Sequence, residues 1–486
     1  MKNNSLKTNA ILNGLKQCFG ILFPLITFPY VSRVLGEEGF GKYSFSWSIV
    51  SYFVLIAGLG VSTYAIREGA RIRDDKEKLS RFCSEAFTIN VVTTIISFCM
   101  LIIISIISVK IRGYLPLVLI QSSALILNLI GRDWINSIYE DYSYITVRYL
   151  IIQIISLCLM FILIRSPEDV WKYCVVAIVA SFGGNIPNIW YLRRYVKTHI
   201  VIHPNFMKHL PALLVLFATQ IAITIYVNAD ITMLGFYADD ATVGIYSLSS
   251  KIYSLIKTVV NAMVLVTLPR MTYIIENTPE RYEATLKKVS SYLMIILFPI
   301  ACGVFMLSKE VILIAGGASY QSGSTALKIL SGAMIFAVLC SFCMNSILIA
   351  HRKEKECLKA TVISAAINVA LNFVALPMLG MSGAAITTII AEAINLALLL
   401  KSSSNVVNIK LFDWKNALQC LISSCIIVIA CVGVQRLQYG VVITFIIAFV
   451  ISAICYFGIL IVFRNVYARE ILNSVIDKIS HGRWKK

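Results

Sequence analysis

Charged residues are scarce in this sequence. Only 14% of its 486 residues are Asp, Glu, Lys or Arg, whereas 58% are hydrophobic. A soluble chain carries about 25% charged residues, and its helices have one polar face. The scarcity of charge therefore excludes a soluble globular protein and indicates a chain that is surrounded by lipid.

Acidic residues are scarcer than basic ones, with 25 Asp and Glu against 43 Lys and Arg. The basic residues are concentrated in alternate joints between apolar runs, including the chain start, the segment from Arg67 to Arg81 and the segment from Arg464 to Lys486. Joints rich in Lys and Arg stay on the cytoplasmic side of a membrane. We therefore expect both termini in the cytoplasm. The net charge of +18 reflects this topology, and we expect no nucleic-acid partner.

The sequence also lacks the residue patterns of disulfide, metal and enzyme sites. None of the 13 cysteines falls in a predicted outer joint, so no disulfide framework is implied. The five histidines have no supporting cysteine or carboxylate set, and we expect no metal and no cofactor. The longest outer joint, Ser308 to Ser324, offers only Glu310 as a carboxylate. Without a Walker motif or a nucleophile–base set, the chain is not predicted to be an enzyme.

Apolar runs of spanning length recur from one end of the chain to the other. Barrel strands would alternate apolar and polar residues, which the run from Ile96 to Ser108 does not do, so the fold is predicted to be an all-α integral membrane protein. About fourteen transmembrane helices are expected. The predicted spans are 10–32, 43–64, 86–109, 114–137, 142–164, 170–192, 209–236, 242–268, 289–307, 325–350, 358–379, 382–400, 416–434 and 440–463. The segment from Val311 to Ser319 is expected to be re-entrant or interfacial.

A short pattern occurs twice. Residues 35–44 (LGEEGFGKYS) align with residues 234–247 (LGFYADDATVGIYS), which matches the first outer joint to the fourth and span 2 to span 8. Below the joint, Ser48 aligns with Lys251 at helical spacing. The alignment predicts a parallel repeat of two six-helix lobes, 1–200 and 201–405, followed by two extra transmembrane helices and a cytoplasmic tail in 406–486. Transporters with such repeats bind substrate at the interface between the halves.

The segment from Pro29 to Phe53 (PYVSRVLGEEGFGKYSFSWSIVSYF) resembles the amino-terminal signature of the polysaccharide transporter family. That family belongs to the multidrug/oligosaccharidyl-lipid/polysaccharide exporter superfamily. The segment from Pro377 to Leu398 (PMLGMSGAAITTIIAEAINLAL) resembles a later pattern of the same family. The resemblance implies a flippase that moves an undecaprenyl-diphosphate-linked oligosaccharide across the bacterial inner membrane by alternating access, most like O-antigen flippases of the Wzx type.

The same resemblance implies the partners. They are the lipid-linked oligosaccharide and membrane lipids, with a polysaccharide polymerase and a chain-length regulator as further expected partners. A flippase for lipid II or a teichuronic-type lipid-linked sugar remains an alternative, as does a multidrug antiporter of the same superfamily. The antiporter should have an acidic cavity, whereas the intramembrane charges here are mainly cationic. A membrane-embedded polysaccharide polymerase is a weaker alternative, because no large outer loop is present.

A diphosphate-linked substrate needs a cationic receptor, and charges inside a membrane usually face an interior. The candidate substrate-binding residues are the intramembrane cations and the polar side chains near them: Lys16, Arg148, Lys251, Lys257, Ser247, Ser254 and Asn261. Lys251 stands out because its position places a charge near mid-membrane. Lys257 lies nearer the cytoplasmic half, where a lysine can also extend to the interface. Hydroxyl and amide stripes suit sugar contacts and equally suit hydrogen bonds between helices.

Two carboxyl groups fall within spans, Asp230 in span 7 and Glu392 in span 12. A carboxyl group in a low-dielectric cavity can carry a proton, so both are candidates for coupling to an ion, and both also suit charge balance for a nearby lysine. Pro24 and Pro29 fall within span 1. Proline removes a backbone hydrogen bond, so this helix is a candidate gate or hinge, or has a static kink.

Three further carboxylates are expected to be structural. Asp133, next to Arg132, is predicted to form an ion pair at the cytoplasmic rim. Asp239 and Asp240 are predicted to be solvated turn residues.

Overall fold

The computed structural model describes residues 6–202, 205–407 and 413–481, and every regular element in these ranges is helical. The chain divides into two compact units, Met1–Ser247 and Leu248–Lys486. The α-helices of the first unit are α1 (Leu6–Gly58), α2 (Val61–Arg71), α3 (Lys76–Ile107), α4 (Val109–Arg112), α5 (Leu115–Gly131), α6 (Asp133–Ile138), α7 (Tyr142–Leu163), α8 (Val170–Phe182), α9 (Asn185–Tyr191) and α10 (Phe206–Tyr237).

Helix α11 (Asp240–Leu265) begins in the first unit and continues in the second. The second unit then contains α12 (Thr267–Asn277), α13 (Tyr282–Met306), α14 (Ser308–Gly316), α15 (Gly323–Phe342), α16 (Glu354–Ser404), α17 (Trp414–Arg436), α18 (Val441–Val462) and α19 (Val466–His481). A π-helix, Cys343–Ile349, follows α15 directly. The segment predicted to be re-entrant or interfacial, Val311 to Ser319, overlaps α14, whose nine residues are too few to span a membrane.

Twelve helices in the described ranges are long and apolar enough to cross a membrane. Two of them are too long for one crossing, because α1 has 53 residues and α16 has 51, or about 75–80 Å at 1.5 Å per residue, against a hydrocarbon core of about 30 Å. Each breaks at one glycine with a left-handed backbone, Gly36 (φ 68°) and Gly380 (φ 51°). Splitting them there gives fourteen crossings, which confirms the predicted fold class.

The first outer joint is tighter than the sequence predicted. The second span was expected to begin at residue 43 after an acidic turn, but the helix resumes directly after Gly36, so Glu37 and Glu38 are helical. A single residue reverses the chain because glycine adopts positive φ without a steric penalty. Gly235, which aligns with Gly36, lies inside α10 instead, where a Cβ atom would come 2.0 Å from the Phe45 ring.

The repeat is visible in the element order. After the second crossing the chain forms a short amphipathic helix, α2, and then the long helix α3. After the eighth crossing it does the same, with α12 followed by α13. The remaining crossings follow in the same order, in agreement with the predicted parallel repeat. The lobe bounds 1–200 and 201–405 stay a prediction, since the two compact units divide after Ser247.

The two copies of the repeated pattern meet inside the first unit. A Cβ atom on Gly41 would lie 1.8 Å from the Asp240 carbonyl oxygen, and one on Gly244 would lie 1.9 Å from the Glu37 carbonyl oxygen. Each of these glycines also lies close to the backbone nitrogen of the other. The backbones of α1 and α11 therefore touch without side chains between them, which is the approach that small residues permit in membrane helices.

The two extra helices, α17 and α18, pack in the second unit. Tyr456 on α18 donates a hydrogen bond to the Ile295 carbonyl of α13 at 3.0 Å. Asn416 on α17 donates to the Ser291 carbonyl at 3.2 Å. The outward faces of both helices remain apolar and exposed, as at Ile429.

We expect Gly41→Ala to lower the thermal stability of the purified protein by about 1–3 kcal/mol, because the new methyl group must push two backbones apart. Gly303→Ala is the matched control, since a Cβ atom there meets nothing within 4 Å, and alanine favours the helix. The measurement is the unfolding midpoint in detergent. Equal midpoints for Gly41→Ala and the control would contradict the contact.

Candidate substrate-binding site

Helix α11 carries most of the candidate substrate-binding residues. Ser247 is buried, Lys251 is half-buried and Ser254 is exposed. Asn261, also half-buried, has a side-chain oxygen without a hydrogen-bond donor among the described residues. The stripe thus combines a mid-span ammonium with polar groups that are still able to accept or donate.

Lys257 and Glu392 lie together in the second unit. Lys257 Nζ is 3.9 Å from Glu392 Oε1 and 4.8 Å from the centre of the Tyr253 ring. The Tyr253 hydroxyl donates to the same carboxylate oxygen at 3.5 Å. The Glu392 side chain is 5% exposed and that of Lys257 is 25% exposed, so the ammonium is the open member of the pair. At 3.9 Å the pair is looser than a hydrogen bond.

Asp230 occupies a different polar cluster, in the first unit. Its carboxylate accepts a hydrogen bond from the Tyr246 hydroxyl at 2.9 Å, and both side chains are buried. Two residues further along α10, Thr232 donates to Ser48 at 2.9 Å, and its hydroxyl lies 3.2 Å from the Tyr52 hydroxyl. The cluster places a carboxyl group among neutral hydroxyls inside the helix packing.

Lys16 and the two prolines lie on the first part of α1. Lys16 is half-buried, and its ammonium lies 5.7 Å from the centre of the Tyr149 ring. Pro24 and Pro29 are inside the helix, yet the break in α1 comes at Gly36. The role of the prolines as a gate stays a prediction.

Arg148 is held by an ion pair. Its Nη2 atom donates to both carboxylate oxygens of Asp133 at 2.7 Å, and the side chain is 9% exposed. Asn188 donates to the same carboxylate at 3.0 Å. Asp133 does form an ion pair, but with Arg148 and not with its neighbour Arg132, whose guanidinium packs on the Phe87 ring. The backbone at Arg132 is left-handed (φ 45°), so the two adjacent side chains diverge where the fourth crossing breaks.

Polar residues on the predicted span 11 serve packing. Asn372 donates to Asn368 at 3.4 Å and accepts from Thr387, which lies on the second part of α16. Both asparagines are buried. These bonds join the two halves of α16 across its break at Gly380.

The first unit also contains a tyrosine–arginine cluster that the sequence did not single out. Asp141 accepts hydrogen bonds from the Tyr191 and Tyr195 hydroxyls at 2.6 and 2.8 Å and from Arg194 at 2.7 Å. Burial opposes ionisation of this carboxyl group, but these donors together hold the pKa of Asp141 below its ordinary value. The aromatic residues are 50 positions away in sequence, and no local pattern links them to Asp141.

Asp240 is not the solvated turn residue that the sequence predicted. It is half-buried and accepts a hydrogen bond from the Tyr114 hydroxyl at 2.5 Å, and Lys110 donates to the neighbouring Ala238 carbonyl at 3.3 Å. Burial and the hydrogen bond to the Asp240 carboxylate raise the pKa of Tyr114 well above its ordinary value. Asp239 is exposed as predicted, and bonds from Thr242 lower its pKa. Helix α4 and the joint that follows it are thereby bonded to the joint between α10 and α11 and to the start of α11.

Two family models match the chain. The model described as "Polysaccharide biosynthesis protein" matches residues 6–275. The chain belongs to that family. The model described as "Lipid II flippase MurJ" matches residues 150–455, and both matches confirm the predicted resemblance to the exporter superfamily.

A related protein agrees with this assignment, and solved structures share the fold. An Escherichia coli (strain K12) protein described as an O-antigen transporter is 22% identical to this family member over 82% of the chain and 96% of its own length. The structure entitled "Lipid II flippase MurJ, inward closed conformation" has the same fold, with a TM-score of 0.72 and 17% identity over 95% of this chain and all of the other. An inward-facing multidrug transporter of the same superfamily has a TM-score of 0.61 and 13% identity, over 82% of this chain and 97% of the other.

We expect Arg148→Gln to destabilise the protein by about 1–2 kcal/mol, because it leaves the partly exposed Asp133 carboxylate without its cation. The double variant Arg148→Gln/Asp133→Asn should recover most of this loss. The measurement is the unfolding midpoint in detergent, together with substrate export. Recovery of export in the double variant would assign Arg148 to the fold, whereas export that stays lost while stability returns would assign it to the substrate.

Proposed function

We propose that this protein is a flippase that moves an undecaprenyl-diphosphate-linked oligosaccharide, such as an O-antigen repeat unit, across the bacterial inner membrane by alternating access. The observation that carries the proposal is the half-buried Lys251 in the middle of a spanning helix of a polysaccharide-family chain. The O-antigen transporter description of its Escherichia coli relative supports the same class of cargo. A transporter of this kind has no catalytic residues.

The diphosphate accounts for the lysine. The diphosphate group carries about two negative charges. An unpaired ion in mid-membrane costs at least ~3 kcal/mol on the most lenient insertion scale. An ammonium in the span offsets part of that cost. Lysine is a compact point charge and holds a phosphate without the bidentate grip of arginine, so the ligand is able to leave on the outer side.

The rest of the substrate would meet the residues around Lys251. Ser254 and Asn261 lie on the same face of α11 and offer hydroxyl and amide groups to sugars. Lys16, on α1 of the first unit, stays a further candidate cation. The exposed apolar faces of α17 and α18 suit a polyprenyl tail.

Glu392 and Asp230 are the proposed coupling groups. Glu392 competes with a phosphate for Lys257, because the loose pair leaves the ammonium able to change partners. A proton on Glu392 removes the carboxylate charge and frees Lys257 for the diphosphate. Asp230 would take up its proton beside the Tyr246 hydroxyl, which donates a hydrogen bond to its carboxylate.

The orientation that we propose has both termini in the cytoplasm, supported by the Lys and Arg bias of alternate joints. A polysaccharide polymerase and a chain-length regulator would act on the product at the outer face. Lipid II transport is the second candidate, because the lipid II flippase family model matches 150–455. The cationic residues would serve that diphosphate equally.

We expect Lys251→Ala to weaken substrate binding roughly 10- to 100-fold, the loss of one charge-assisted contact of about 1.5–3 kcal/mol. Lys251→Glu should abolish export, and Lys251→Arg should retain part of it. Export is measured by complementation of a flippase-deficient strain. Lys359→Ala, at an exposed lysine, is the control.

Reporter fusions after Tyr195 and Asp240 should read cytoplasmic and periplasmic in every variant, which shows that insertion is normal. If the Lys251→Glu variant exports substrate at the wild-type level, Lys251 does not bind the diphosphate, and Lys16 becomes the proposed cation. The reverse reporter pattern would overturn the orientation.

We expect Glu392→Gln, Asp230→Asn or both to remove the response of transport to a pH gradient while substrate still binds. The reason is that the amide side chain of Gln or Asn cannot bind and release a proton as a carboxyl group does. Transport is measured in liposomes with an imposed gradient and a short-chain diphosphate-linked sugar. Glu276→Gln, at an exposed glutamate, should respond like the wild type. A normal gradient response in both test variants would leave the two carboxyl groups with structural roles only.

A further inference from the structure

A buried histidine joins three helices of the first unit. His209, in the first turn of α10, is 1% exposed. Its Nε2 atom lies 2.9 Å from a Glu85 carboxylate oxygen on α3, and its Nδ1 atom lies 2.8 Å from the Tyr64 hydroxyl on α2. Both ring nitrogens therefore have partners, and the side chains of Glu85 and Tyr64 are buried as well. The proposed transport mechanism uses none of these residues.

The surroundings of this trio are apolar. Tyr64 belongs to a core cluster with Phe82, Cys83, Trp134 and Leu213. The Phe82 and Tyr64 rings lie edge-on to the imidazole, with centroids 5.8 and 5.6 Å away. A charge is costly in such a setting unless an opposite charge lies beside it.

We propose that His209 and Glu85 form a proton-dependent fastener that holds the start of α10 against α2 and α3. Imidazole gains and loses a proton between about pH 5 and 8. When His209 is protonated, both nitrogens donate, and its charge balances the Glu85 carboxylate. When His209 is neutral, one nitrogen must accept from Tyr64, and the buried carboxylate loses its balancing charge. The fastener is therefore strong while the imidazolium persists and weakens as the pH rises.

Other charged groups near the trio do not replace this cation. On α3, Arg81 Nε lies 3.4 Å from the second Glu85 oxygen, but the arginine side chain is 84% exposed, so its contribution is screened by solvent. On α2, Arg67 and Glu68 pair with each other at 3.0 Å. Lys208, next to the histidine on α10, is exposed.

The fastener matters because of the helix that it holds. By the sequence repeat, α10 is the first helix of the second lobe, yet here its start is bonded to α2 and α3 of the first. Asp230 lies on the same helix. Loosening the start of α10 would therefore release the helix that carries a proposed coupling carboxyl, whatever cargo the protein carries.

The test uses Cys83 as a native reporter. Cys83 and Cys174 are both fully buried in the first unit, but only Cys83 belongs to the cluster around the trio. Full-length protein in detergent is treated with N-ethylmaleimide at pH 6 and pH 8, and labelling at each cysteine is quantified by peptide mass spectrometry. The rate for Cys83 is divided by the rate for Cys174. In this ratio the common effect of pH on thiol reactivity cancels.

We expect this ratio to rise about fivefold between pH 6 and pH 8 in the wild type, the factor that corresponds to ~1 kcal/mol. His209→Gln and Glu85→Gln should both give a high ratio that does not change with pH. Glu85→Gln keeps an oxygen acceptor at the site and serves where His209→Gln fails to fold. His199→Gln is the matched control, because His199 contacts Ser84 on α3 without a carboxylate and should behave like the wild type. An unchanged ratio in the wild type, or the same pH response in His209→Gln, would overturn the proposal.

Discussion

The contact between Gly41 and Gly244 sets the register of the first unit. Because neither residue has a Cβ atom, the backbones of α1 and α11 touch, and a side chain at either position would overlap a carbonyl oxygen. With the two helices fixed there, Tyr246 meets Asp230, and Ser48 meets Thr232. Further along α11, Lys251 follows Gly244 by about 10 Å of helix. One steric constraint thus fixes how the start of α11 lies against α1 within the first unit.

The intramembrane charges fall into two groups with different physical roles. Arg148 with Asp133 and His209 with Glu85 are pairs at hydrogen-bond distance, and each joins separate helices of the first unit, although the Asp133 side chain is 44% exposed. Lys257 and Glu392 are farther apart, with the lysine partly open. A tight pair favours one arrangement of helices, whereas a loose one permits exchange with an anionic ligand. The Arg148 pair therefore has the geometry of a structural contact, whereas the Lys257 pair has the geometry of an exchangeable one.

Much of the fold could be predicted from the sequence because bilayer thickness and backbone hydrogen bonding leave few alternatives. Fourteen crossings, the repeat and the two extra helices follow from apolar length and a short repeated pattern. The sequence indicates the break near Gly36 but predicts too long a joint there. Composition does not show that one glycine with a positive φ is sufficient to reverse the chain.

Side-chain partners were harder to predict than spans. Asp133 lies next to Arg132 in sequence but bonds to Arg148, because the left-handed residue between α5 and α6 turns adjacent side chains apart. His209 is more than 100 positions away from both Glu85 and Tyr64, which lie on two other helices. No spacing rule connects the three residues. The stripe on α11 was visible because its members follow helical periodicity.

The glycine contact also has a consequence for biosynthesis. Gly41 and Gly244 are separated by about two hundred residues, and a ribosome adds about 5–20 residues per second. The first helix therefore enters the bilayer about 10–40 s before its glycine surface has a partner. During that interval lipid chains or an insertion factor must cover a groove that is shaped for a backbone. Assembly of the first unit is thus delayed until α11 has emerged, however early α1 is inserted.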